Sequence, residues 1–132
     1  MKPALNPCEM LRFWAALRGT ARPAIEAALA AFALDRVADW PGRWLSAGQR
    51  RRLALARLIA APAPVWLLDE PTAALDSDGE ARLTAAIIAH RAAGGRVVLA
   101  THQPIAIEGA ATLALDEFAV APGDGPGDGL AG

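Results

Sequence analysis

Residues 45–58 read LSAGQRRRLALARL, and the rest of the chain is best interpreted outward from this run. Ser46 is a favoured N-cap residue, because its hydroxyl oxygen can accept a hydrogen bond from an unpaired amide of the first helical turn. Strong helix formers follow from Arg50 onward, and Gly48 would let another backbone or a ligand approach closely. A helix N-terminus carries free N–H groups and a positive partial charge, so this loop could hold an anion such as phosphate.

A second run, VWLLDEP at residues 65–71, begins seven residues after Leu58. Its first four residues are continuously apolar, which is typical of a parallel strand covered on both faces. Successive strand residues point in opposite directions, so Asp69 and Glu70 can serve one site only if the strand ends there. Pro71 favours that ending. Taken alone, such an acidic pair is often no more than a polar strand end.

The spacing of apolar residues predicts two helices before residue 45. The first begins at Pro7, is capped by Asn6 and runs to Leu17. It places Met10, Trp14 and Leu17 on one face, and its aromatic residues are expected in the core. The second helix is expected over residues 23–33.

The chain after residue 71 predicts one further helix and two strands. The helix is capped around Asp76 and runs to about residue 93, and a short buried strand follows over 96–100. A third strand is expected over 112–115. Because the carboxyl ends of parallel strands lie at one edge of a sheet, the acidic pair at 69–70 and His102 are expected to meet there.

These motifs together resemble those of the ATP-binding cassette (ABC) ATPases. Residues 45–49 resemble the signature loop of that family, with Ala47 in place of its third-position glycine, and residues 65–70 resemble the strand called Walker B. Residues 74–76 resemble the D-loop, and residues 101–102 resemble the segment with the switch histidine. The resemblance implies an α/β fold: the C-terminal part of a P-loop NTPase of the ABC type, with parallel strands flanked by helices, plus a helical subdomain.

Several stretches look most like the ATP-binding subunits of the heme exporters that serve cytochrome c maturation. The similar stretches are residues 11–17, 45–52, 63–71 and 100–104, whereas residues 72–76 have the more general cassette form. The resemblance then implies transmembrane transporter subunits as partners. It also implies a peripheral position on the cytoplasmic face of the inner membrane.

The resemblance further implies ATP and Mg²⁺ as cofactors and gives each motif residue a role. Asp69 would hold Mg²⁺ through water, Glu70 would be the general base for the attacking water, and His102 would contact the γ-phosphate. In this family two ATPase subunits face each other head to tail, so the signature loop acts on the nucleotide of the partner. Residues that would act at that junction are Ser46, Ala47, Gly48 and Gln49, which bind nucleotide, and Asp76, which lies at the dimer seam.

Composition sets outer limits on function. The chain has 132 residues, 54% of them hydrophobic, and a net charge of −1, which suits a globular domain with a real core. The arginines at 50–57 are interpreted mainly as a solvated basic face, and nucleic acid is not expected as a partner. A single cysteine, Cys8, excludes an internal disulfide, and no apolar stretch is long enough to span a bilayer.

One motif of nucleotide-binding cassettes is absent from this sequence. A P-loop needs Gly-x-x-x-x-Gly-Lys-Ser/Thr, and the single lysine is Lys2, with no glycine before it. The chain therefore looks like the later part of a cassette. The expected division is residues 1–44 in the helical subdomain, 45–118 in the C-terminal half of the ATPase core and 119–132 in a flexible tail.

Two alternatives to a transport ATPase stay open at this stage. The same core could serve a soluble machine that does not transport, such as a DNA-repair or translation ATPase. The missing P-loop also allows a non-catalytic remnant or a partner-binding piece.

Overall fold

The computed structural model describes residues 5–119, which build four α-helices and a two-stranded parallel sheet. The elements in chain order are α1 (Pro7–Arg18), α2 (Arg22–Ala31), α3 (Ala47–Ala60), β1 (Val65–Asp69), α4 (Ser77–Ala92) and β2 (Arg96–Ala100). Short 3₁₀ turns cover Asp35–Val37, Gly42–Trp44 and Leu115–Phe118. The α/β class expected from the sequence is confirmed.

The N-termini of α1 and α3 are fixed by local side-chain chemistry. Asn6 accepts from the Glu9 amide, and the Glu9 carboxylate accepts from the Asn6 amide, which makes a reciprocal capping box. Ser46 and Gln49 make the same arrangement at the start of α3. Both predicted caps are confirmed, and a left-handed Gly19 with φ of 65° ends α1.

The core lies between the helices and one face of the sheet. Helices α1 and α2 both pack on α3, and α4 covers the sheet from the same side. The core contains Leu11 and Ala15 of α1, Ile25, Leu29 and Phe32 at α2, Leu53 and Ala56 of α3, Trp66 of β1, and Leu83 and Ile87 of α4.

Strands β1 and β2 pair in parallel with Leu67 opposite Val98, and α4 connects them. The inner face of this sheet packs on the core, with Trp66 only 4% exposed and Leu68, Val97 and Leu99 partly buried. The other face is not covered by any element within residues 5–119, since Leu67 is 76% and Val98 61% exposed. The expectation that both faces are covered is therefore wrong for this part of the chain.

Two further expectations from the sequence are wrong. The packing face of α1 carries Leu11 and Ala15, whereas Met10, Phe13 and Leu17 are exposed. Residues 112–114 do not form the third strand within residues 5–119: no strand of that part of the chain pairs with them, and the next residues make a 3₁₀ turn. The tail predicted from residue 122 onward lies outside the described residues.

No helix among residues 5–119 is both long and apolar enough to cross a bilayer.

Candidate functional site

Glu70 lies just beyond β1 in an unusual backbone conformation. The strand ends at Asp69, and Glu70 has a positive φ of 42°, which is uncommon for a residue with a side chain. Its amide still donates to the Ala100 carbonyl, at 2.8 Å, and so continues the pairing with β2 for one residue. This turn directs the carboxylate across the sheet edge, toward the loop that follows β2.

His102 meets that carboxylate. The His102 amide donates to Glu70 Oε1 at 3.1 Å, and its imidazole Nε2 lies 3.5 Å from the same oxygen. Thr101 shapes the loop, because its hydroxyl donates to the Gln103 carbonyl and accepts from the Gln103 amide. The imidazole is 97% exposed, so it faces space that a ligand could fill.

Asp69 is the last residue of β1, and its carboxylate has no protein donor among residues 5–119. No group of three or more metal-ligating side chains occurs in that part of the chain. Mg²⁺ commonly keeps several waters and takes only one or two protein carboxylates, with nucleotide phosphates as its other ligands. The Asp69 carboxylate at this sheet edge, next in sequence to Glu70, therefore fits Mg²⁺ delivered with a nucleotide.

The signature-like loop lies beside the segment that joins β1 to α4. Ser46 Oγ accepts from the Gln49 amide at 3.1 Å, and Gln49 Oε1 accepts from the Ser46 amide at 2.8 Å. These bonds leave the amides of Ala47 and Gly48 available at the helix tip. A methyl group built at Gly48 would meet only the Ala74 carbonyl, at 3.5 Å, and Ser46 Oγ. Nothing within residues 5–119 therefore demands glycine there.

Asp76 caps α4 and is paired with α3. Its Oδ1 accepts from the Gly79 amide at 2.9 Å and from Arg52 Nη2 at 2.7 Å. The Arg52 hydrogen bond, with the Gly79 amide behind it, lowers the pKa of Asp76 below its ordinary value, and the same bond raises the pKa of Arg52. Asp78 also binds Arg52, at 3.0 Å, so the N-terminal end of α4 is tied to α3.

The sequence interpretation missed what two arginines of α3 do. Arg51 Nη2 donates to the carbonyls of Glu70 at 2.6 Å and of Asp69 at 3.3 Å, and Arg52 binds Asp76 as described above. A solvated basic face was the expectation for most of this cluster. One signal was available: cations in the first turns of a helix oppose its dipole, so a run of arginines there suggests that acceptors hold them.

Comparison with known proteins points in one direction. The ABC transporter family profile matches residues 8–73, half of the chain. The chain is 57% identical over 122 residues to the cytochrome c biogenesis ATP-binding export protein CcmA of Rhodospirillum rubrum, covering 92% of this chain and 52% of that protein. The protein of the same description from Paramagnetospirillum magneticum is 54% identical, with 92% and 58% covered. The chain thus spans about half the length of the curated relatives it matches.

Solved structures share the fold. A cassette solved as a dimer in a post-hydrolysis state, with ADP and inorganic phosphate bound, superposes with a TM-score of 0.68 at 30% identity, over 76% of this chain and 47% of that chain. The ATP-binding subunit of an ABC transporter superposes with a TM-score of 0.67 at 23% identity, over 77% and 44%. Profile, relatives and fold agree, and this chain belongs to the ABC transporter family of ATP-binding cassettes.

Proposed function

We propose that this chain is the C-terminal part of an ATP-hydrolysing ABC subunit, and that the complete protein drives heme export for cytochrome c maturation. The observation that carries the proposal is the meeting of Glu70 and His102, 3.5 Å apart, at the carboxyl edge of a parallel sheet. The relatives' description as cytochrome c biogenesis export proteins supports the transport role. Residues 1–44 would then belong to the helical subdomain and residues 45–118 to the ATPase core.

Phosphoryl transfer to water depends mainly on positioning and on neutralising charge. Glu70 is held where its carboxylate could accept a proton from an attacking water, and His102 beside it could donate to a phosphate oxygen. Asp69 would hold Mg²⁺ through water, and the ion would neutralise phosphate charge when bound. The exposure of His102 suits a pocket that is completed by ATP and by a second ATPase subunit.

In that head-to-tail pair, the helix tip with Ser46, Ala47, Gly48 and Gln49 would bind the nucleotide of the partner subunit. The free amides of Ala47 and Gly48 suit phosphate oxygens, and Gly48 would let the partner's nucleotide approach the backbone. Asp76 would lie at the seam, held in place by Arg52.

A chimeric cassette tests the catalytic proposal. It joins the part of the Rhodospirillum rubrum relative that lies outside the matched segment to this chain, which restores a full-length protein. In this chimera, Glu70→Gln should lower kcat for ATP by about 100-fold or more, because it removes the general base.

Glu26→Gln is the matched control, since Glu26 is an exposed carboxylate of α2 that pairs, within residues 5–119, with Arg22 alone. It should leave kcat unchanged. A Glu70→Gln chimera that hydrolyses ATP at the unsubstituted rate would refute the assignment of Glu70 as the base.

An apolar groove on the helical side suggests where transmembrane subunits would dock. A cavity of about 390 Å³ lies between α1, the 3₁₀ turn at Gly42–Trp44 and α3, with Trp14 and Leu45 in its lining. Phe13, 56% exposed, and Leu17 continue the apolar surface beside it. Such a surface fits an apolar helix end of a membrane protein, and it would place the subunit on the cytoplasmic face of the inner membrane as a peripheral component.

Fractionation in the native host tests this surface. Phe13→Ser in the complete protein should move a large share of it from the membrane fraction to the supernatant, while its ATPase activity persists. Ile88→Ser is the control, because Ile88 on α4 is similarly exposed, at 53%, but lies away from the groove. Equal release by both variants, or by neither, would contradict docking at this groove.

The non-catalytic alternative has one observation in its favour, the absence of a P-loop from the 132 residues. Isothermal titration of ATP into the chain alone separates the two proposals. Micromolar binding would contradict the remnant, whereas no heat from the chain together with ATP hydrolysis by the chimera would support a catalytic half that needs the rest of the cassette.

A further inference from the structure

The backbone of Glu70 makes three hydrogen bonds. Its amide donates to the Ala100 carbonyl at 2.8 Å, and its own carbonyl accepts from the Ala73 amide at 3.1 Å, which closes the turn after β1. Arg51 of α3 adds the shortest contact, 2.6 Å from Nη2 to the same carbonyl. A left-handed glutamate persists only where its surroundings define it strongly, and Arg51 is the one side chain among residues 5–119 that supplies such a contact to its backbone.

The Arg51 side chain is itself fixed by two hydrogen bonds. Its Nη2 also lies 3.3 Å from the Asp69 carbonyl, so a single guanidinium nitrogen bridges the carbonyl oxygens of the two acidic residues. Its Nε is buried and has no hydrogen-bond partner among residues 5–119. A buried unpaired donor is unfavourable, so the side chain adopts this arrangement for the contacts that its Nη2 group makes.

We propose that Arg51 is a positioning residue for Glu70. By holding the Asp69 and Glu70 carbonyls, Arg51 keeps the left-handed turn that aims the Glu70 carboxylate at the His102 loop. This inference rests on the proposed function of Glu70 as the general base. It also means that α3, whose tip would contact the partner's nucleotide, holds the base of its own subunit from its second turn.

Steady-state kinetics of the chimeric cassette separate positioning from general stabilisation. Arg51→Gln should lower kcat by roughly 10- to 100-fold, because a displacement of about 1 Å at a catalytic group has effects of that size. The KM for ATP should stay within about twofold, since the lost contact does not touch nucleotide. Arg51→Lys keeps one donor and should give an intermediate kcat.

The decisive comparison uses the Glu70→Gln background. If Arg51 acts through the Glu70 carboxylate, Arg51→Gln should change the residual rate of Glu70→Gln by less than about twofold. Arg22→Gln is the control, since Arg22 makes an exposed pair with Glu26 on α2, and it should leave kcat unchanged in both backgrounds.

A second readout does not depend on activity. In ¹H–¹⁵N spectra of the 132-residue chain, Arg51→Gln and Arg51→Lys should shift the amide resonance of His102, because that amide donates to Glu70 Oε1. Arg22→Gln should leave the resonance in place.

The outcomes are distinct. Two outcomes would overturn the positioning role alone. One is a lower kcat in Glu70→Gln with an unchanged kcat in Arg51→Gln, and the other is an equal loss of kcat from Arg51→Gln in the unsubstituted and Glu70→Gln chimeras. An unshifted His102 amide would overturn it as well. Full activity of the Glu70→Gln chimera would overturn the proposed function and the inference that rests on it.

Discussion

Gly95→Ala is the substitution for which this structure makes the sharpest stability prediction. Gly95 immediately precedes β2, and a Cβ built on it would overlap the His90 imidazole at Nε2, Cε1 and Cδ2. The His90 ring is stacked on Trp66, with ring centroids 3.9 Å apart and planes 8° from parallel. The imidazole therefore cannot move aside without giving up its contact with a core residue.

The size of the effect follows from two terms. Forcing extra volume into a packed position typically costs about 1–3 kcal/mol, and disrupting an aromatic stack costs about 0.5–1.5 kcal/mol. The protein can relieve the steric overlap at residue 95 only by disrupting the stack of His90 on Trp66. We therefore expect the free energy of unfolding to fall by about 2 kcal/mol. The His90→Ala background should reverse the sign. There the new methyl group has room, and replacing glycine at an ordinary φ stabilises by about 0.4–1 kcal/mol through the unfolded chain.

Urea unfolding, followed by circular dichroism, of the wild type, Gly95→Ala, His90→Ala and the double variant forms one double-mutant cycle. It measures the effect of Gly95→Ala with and without the His90 ring. The coupling between the two positions should be about 2–3 kcal/mol. Gly94→Ala serves as a comparison, because Gly94 has a φ of 89° with nothing within 4 Å of its built Cβ, so its effect should not depend on His90. The same loss from Gly95→Ala with and without the His90 ring would refute the reasoning.

Five further substitutions, at four positions, test the fold through the same unfolding measurement. Ser46→Ala should lower stability by about 1 kcal/mol, whereas Ser46→Asn should largely preserve it, because asparagine is also a good cap; equal losses would exclude a capping role. Asp76→Asn keeps a cap but removes the charge paired with Arg52, so it should destabilise at neutral pH. Because the pKa of Asp76 is lowered in the folded state, wild-type stability from this pair is lost as the pH falls below about 4, and the variant's deficit should shrink there; a deficit constant with pH would contradict the pairing. Trp66→Ala should cost about 3–5 kcal/mol, whereas Leu67→Ser next to it should change stability by no more than about 0.5 kcal/mol; a large loss at Leu67 would mean that its face is covered.

Features that depend on a few neighbouring residues could be predicted from the sequence. The caps at Asn6 and Ser46 are confirmed because a capping box involves only residues three apart. The end of β1 before Pro71 follows from local backbone chemistry as well. The meeting of Glu70 with the His102 loop needed one longer step, the rule that parallel strands share an edge for their carboxyl ends.

Contacts that join distant segments could not be predicted in this way. Arg51 reaches a carbonyl 19 residues away, and Arg52 reaches a carboxylate 24 residues away. No periodicity encodes either distance, because each depends on how α3 lies against the strand and loop that follow it. The prediction of the buried face of α1 was wrong for a related reason. The apolar residues of α1 cover more than one face, and hydrophobicity alone does not say which face meets α3.

The uncovered sheet face gives the most informative disagreement between pattern and structure. A strand with one face in water normally alternates apolar and polar residues, whereas a strand covered on both faces does not. The strands that carry Leu67 and Val98 follow the second pattern, but these two side chains are exposed in the structure. They belong to a sheet of only two strands, which is marginally stable on its own. Their sequence is therefore suited to an environment that residues 5–119 do not supply. The same is true of the site, where the amides of Ala47 and Gly48 have no acceptor within those residues and the His102 imidazole, apart from its contact with Glu70, is 97% exposed. The bare sheet face and the unfilled donors have one physical explanation: the sequence is adapted to contacts made with atoms outside this part of the chain.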